Sequence, residues 1–72
     1  MRISPSNIQS TETVATYGVT QFGVRVHLMD GRVFEMRAYP NGRNMSEAQA
    51  ESARVSIARQ GVNNASHFVQ IL

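Results

Sequence analysis

The chain has 72 residues, no cysteine, and seven basic residues against five acidic ones, for a formal charge of +2. A chain of this length forms one domain with a small core, burying only about 60% of its unfolded surface, and without cysteine neither a disulfide framework nor a zinc-thiolate site can staple it. No apolar run approaches the roughly 20 residues that cross a bilayer, and the Met1 to Pro5 start carries no signal-peptide apolar region, so a cytoplasmic protein without membrane contact is expected.

Residues 1–10 are polar and contain Pro5, with Ile3 and Ile8 as apolar anchors, and read as an irregular N-terminal arm of a single 1–72 domain. Thr11 to Val19 is rich in Thr, Val and Tyr and reads as a first strand, with Gly18 a bulge or bend before Phe22. Phe22 to Tyr39 follows a period of two on both sides of Asp30-Gly31, which specifies a hairpin.

The alternation also selects the turn. A two-residue Asp-Gly loop would place Val24 and Val26 on one face with Arg37 and Glu35. A three-residue loop, Met29-Asp30-Gly31 with Gly31 left-handed, instead opposes Leu28 to Arg32, Val26 to Phe34 and Val24 to Met36, which makes one face apolar. Because a slip of one residue exchanges the faces, the second register is expected. It sets Arg25 opposite Glu35 on the other face, with His27, Arg37 and Tyr39 around them.

The turn formers Pro40 to Asn44 end that strand. Ser46 with Gln49 is a capping-box pattern, Met45 and Ala50 stand at staple positions, Glu47 and Glu51 suit the helix start, and Arg59 and Gly61 suit its end. This helix has an Ala50, Ala53, Ile57 stripe and an opposite stripe of Ala48, Val55 and Ala58. His67 to Leu72 reads as a last strand with either Val69 and Ile71 or Phe68 and Leu72 facing the core. The fold class is therefore α+β, an antiparallel sheet of three to four strands packed on one helix in the order β-β-β-α-β.

Catalytic patterns are absent: no cysteine nucleophile, phosphate-binding glycine loop, nucleophile elbow or His-Glu-x-x-His pair occurs. Glu47 and Glu51 are explained by the helix start, and His27 and His67 would need to meet in space to bind metal or exchange protons. No enzyme activity, metal or cofactor is expected.

A helix apolar on both sides in a one-helix domain points to an interface. The expected function is a small non-enzymatic protein-binding module, homodimeric, that occupies a partner surface through Arg54, Val55 and Ala58, with the hairpin face of Arg25, His27, Arg37 and Tyr39 as its polar contribution. Size and lack of catalytic groups are those of phage or mobile-element inhibitors that block a host protein. The alternative is a nucleic-acid-binding accessory protein, in which Arg25, Arg32, Arg37 and Arg43 contact phosphate and Tyr39 stacks on a base.

Overall fold

The computed structural model describes residues 1–16 and 21–72. Along the chain come a single 3-10 turn, Pro5–Asn7, then strands β1 (Ile8–Ala15), β2 (Phe22–Leu28) and β3 (Val33–Met36), helix α1 (Glu47–Gln60) and strand β4 (Val69–Gln70). The strands form one antiparallel sheet in the order β1-β2-β3-β4. This is the expected α+β arrangement of sheet and helix.

The hairpin adopts the register that the apolar pattern selects. Val24 pairs with Met36, Arg25 with Glu35 and Val26 with Phe34. Gly31 closes the loop at φ 94°, the Leu28 amide donates to the Arg32 carbonyl, and the Gly31 amide donates to the Leu28 carbonyl. Glycine is required here because a Cβ disfavours positive φ.

Val24, Val26, Leu28, Phe34 and Met36 consequently share one buried face, and α1 packs over it with Ala50 and Ile57. Each large apolar side chain so buried contributes about 1.5–3 kcal/mol, so a few of them dominate a domain of this size. Both bonds of the capping box form: the Gln49 amide donates to Ser46 Oγ, and the Ser46 amide donates to Gln49 Oε1. Met45 and Ala50, at the staple positions, are both buried.

β1 begins at Ile8, within the segment expected to be an arm, and pairs with β2 to Ala15. Tyr17 to Val19 of the expected first strand, and its bend at Gly18, lie outside the described residues. Ile3 is fully inside the core and exchanges both backbone hydrogen bonds with Val62. The helix ends where this segment crosses it. Gly61 has φ 71°, and a Cβ there would collide with the Ile3 carbonyl and with Pro5 Cδ at 2.8 Å.

β3 stops at Met36, short of the expected Tyr39, because the chain bends at Ala38 and turns through Tyr39 to Arg43. β4 is only two residues long, although backbone bonds from Ile71 to Val33 and from Val33 to Leu72 continue its pairing.

Candidate interaction surface

α1 covers one face of the sheet, and among the described residues no element covers the other. Strand alternation places Glu12 and Val14 of β1, Arg25 and His27 of β2, Val33 and Glu35 of β3 and Val69 of β4 on that open face. Glu35 is its centre and the one charged residue in the buried set. Arg25 donates to Glu35 Oε2 through Nε at 3.2 Å and Nη2 at 3.0 Å, and Arg37 donates to Oε1 through Nε at 2.8 Å. Burial pushes the Glu35 carboxyl up, but the hydrogen bonds and charges of Arg37 and Arg25 outweigh it and hold it below the ordinary glutamate value. The two guanidinium side chains remain 35% and 42% exposed, so the cluster presents two partly exposed cations bonded to one buried anion.

Beside this cluster, His27 Nε2 lies 2.6 Å from Glu12 Oε2, a carboxylate that β1 brings from outside the local sequence. A shallow cavity of about 390 Å³ is bounded by Ala15, Thr16, Arg25, Glu35, Arg37 and Ile71. Around it the face turns apolar. Val69 is 42% and Ile71 38% exposed, and beyond them Leu72 is 77% exposed. The register of β4 decides this: Val69 faces the same way as its partner Glu35, while Phe68 packs on the core.

Tyr39 does not belong to this face. Past the bend at Ala38 the strand alternation no longer applies, and Tyr39 packs against the core, lining a groove of about 350 Å³ on the helix side with Ala53, Ile57, Val62 and Phe68. His67 lines the same groove and meets Phe68 edge-on at 4.8 Å between ring centres. His27 and His67 are thus on opposite sides of the sheet, and among the described residues no three His, Cys, Asp or Glu side chains cluster as metal ligands.

Arg32, at the hairpin turn, pairs with Asp30 at 2.8 Å and its guanidinium stands 5.7 Å from the Phe34 ring centre. The Arg32 backbone amide is the first cause of a lowered Asp30 pKa. Among the described residues, the hairpin therefore offers phosphate only arginines that already hold carboxylates, with no tyrosine beside them.

On the helix, Arg54 is tied down on two sides. Its Nε donates to Glu51 Oε2 at 2.9 Å, its Nη2 binds Glu51 Oε1, and its Nη1 reaches Thr11 Oγ1 of β1 at 3.4 Å. Thr13 Oγ1 also donates to Glu51 at 3.0 Å. The Arg54 and Thr13 hydrogen bonds lower the Glu51 pKa to about 2, and Glu51 in turn raises that of Arg54. Val55 is half-buried and Ala58 exposed. Large apolar exposure thus sits at β4 and the hairpin end rather than on the helix, a surplus visible in the sequence only as leftover residues whose face depended on the last strand's register.

Comparison with known proteins finds no matching family model, no matching curated protein and no matching solved structure.

Proposed function

We propose that this chain is a non-enzymatic protein-binding module that acts by occupying a partner's surface with the open face of its sheet. The observation that carries the reading is the composition of that face: Val14, Val69 and Ile71 around a centre in which Arg25 and Arg37 both hydrogen-bond to the one buried Glu35 carboxylate. Burying a charge without a partner is costly, so guanidiniums already bonded to a shared carboxylate lose less when water is excluded. Arginine with adjoining apolar side chains is also the composition of interface anchors.

The test is calorimetric titration of a partner isolated on the immobilised chain, then purified and titrated alone. Val69→Asp and Ile71→Asp should each weaken binding about 10- to 100-fold, equivalent to about 1.4–2.8 kcal/mol, with unchanged far-UV circular dichroism. Ala48→Asp on the back of the helix should leave it unchanged. Equal affinity in the open-face variants would refute the reading.

A further inference from the structure

Strand β1 is an edge of the sheet, and its backbone polarity can be read from the ladder. The Thr16 amide donates to the Gln21 carbonyl, so Val14 and Glu12, at even spacing from it, also turn their backbone groups toward β2. The amides and carbonyls of Thr11, Thr13 and Ala15 therefore point away from the sheet. Protected edges carry charged side chains, lysine above all, or proline, a bulge or very short strands. β1 runs for eight residues with neither proline nor lysine; its one charge, Glu12, is held against His27 of β2, and its one irregularity falls between Ile8 and Ser10, outside the Thr11–Ala15 run. The opposite edge, β4, is two residues long and is itself of the protected kind.

We infer that the occupant of the β1 edge is β1 of a second copy, antiparallel about a two-fold axis through Thr13. Thr11 of each chain then exchanges backbone bonds with Ala15 of the other, and the two Thr13 residues exchange theirs. This axis sets Glu12 against Val14 of the second copy, whereas an axis through Glu12 would oppose two carboxylates.

The helix position fits the same arrangement. α1 rests on β1 and β2, with Glu51 and Arg54 reaching Thr13 and Thr11. An axis lying between these two strands stands about half a strand spacing inside the edge. Pairing two edges then separates the two helices by about two spacings, roughly 9.6 Å, which matches the 8–10 Å of packed helices. At 100° per residue Glu47, Glu51, Arg54 and Ala58 lie on the flank turned toward β1, with Val55 on its rim. Antiparallel approach brings Arg54 toward Glu47 of the second copy. The unpaired edge and the Glu47, Glu51, Arg54 flank of the helix are thereby covered in one step.

Light scattering over a concentration series should give a mass of two chains, and hydrogen exchange should protect the Thr13 and Ala15 amides at high concentration but not at low. Ala15→Pro removes an outward N–H and no bond to β2, as edge strands allow, and should raise the dimer dissociation constant at least 10-fold. Glu47→Arg, exposed in the monomer, opposes a cation to Arg54 of the second copy; it should do the same and serves if the proline variant is unfolded. Ile71→Asp tests the open face separately and should leave the dimer intact. A monomer throughout, or a dimer indifferent to both Ala15→Pro and Glu47→Arg, would overturn the inference.

Discussion

Replacing Glu35 by Gln preserves its volume and removes only its charge, and so measures what the open-face cluster contributes to the fold. Glu35 accepts from Arg25 through two nitrogens and from Arg37 through Nε. Hydrogen bonds to a charged group contribute about 1.5–3 kcal/mol where both partners are buried, and exposed pairs under about 1 kcal/mol. Glu35 is 5% exposed but its partners are 35% and 42% exposed, so water replaces part of what the guanidiniums lose. The glutamine still accepts one bond but turns an NH₂ toward the other cation, and the net loss should be about 2 kcal/mol. For a domain of this size that is roughly 8–16 °C in Tm, measured by thermal circular dichroism at pH 7. The pH dependence has a definite sign. A carboxyl whose folded pKa lies below its unfolded value, about 4.3 for glutamate, contributes its full stability above that value and loses it as pH falls through the folded pKa. The wild-type advantage over Glu35→Gln should hold from pH 7 to about 5 and shrink below about 4. A Tm change under about 3 °C at pH 7, or a gap that does not close in acid, would refute the reasoning.

Gly61→Ala should cost about 3 kcal/mol or more, since φ 71° with ψ −161° is a region open essentially to glycine alone and the new Cβ meets the Ile3 carbonyl; urea unfolding checks it, and a loss under about 1 kcal/mol would mean that the N-terminal segment moves aside. Ser46→Ala removes the acceptor for the Gln49 amide and should cost about 1 kcal/mol in the same assay. A single-stranded oligonucleotide at low salt should bind undetectably by fluorescence anisotropy; binding with a salt slope of about 0.7 per phosphate contact would return the function to Arg25, Arg32, Arg37 and Arg43. Gly23→Ala should disrupt the hairpin, as its Cβ would strike the Met36 carbonyl and stand 2.9 Å from Thr16 Cγ2; near-native stability by thermal circular dichroism would contradict that packing.

The features legible in the sequence were those in which a local rule has few solutions. The register of β2 on β3 was one, because a single slip would have carried Val24 and Val26 to the charged side. The ends of α1 were another, because Ser46, Gln49 and Gly61 each satisfy a specific backbone need. What escaped depended on contacts between distant segments. The Ala38 bend that sends Tyr39 to the core side leaves no mark on the alternation. The Glu12 to His27 contact needs β1 in register, and the burial of Ile3 needs the crossing over Gly61. Arg25 and Glu35 could be set opposite each other from the pattern. The sharing of Glu35 between Arg25 and Arg37 also required the depth of the site, which no spacing encodes.

The brevity of β4 bears on how the molecule opens. β4 meets the sheet through β3 alone, and both of its residues are exposed. The chain from Val69 onward can therefore detach while the core, which ends with Ala65 and the packed Phe68, stays closed. Such a segment is a low-free-energy opening unit of the kind seen by native-state exchange. Its departure would free the backbone of Val33 and Glu35 as a new edge and take Val69 and Ile71 off the open face. The strand that completes the surface is thus also its least secured part, and any ligand that engages Val69 or Ile71 would stabilise the closed sheet by mass action.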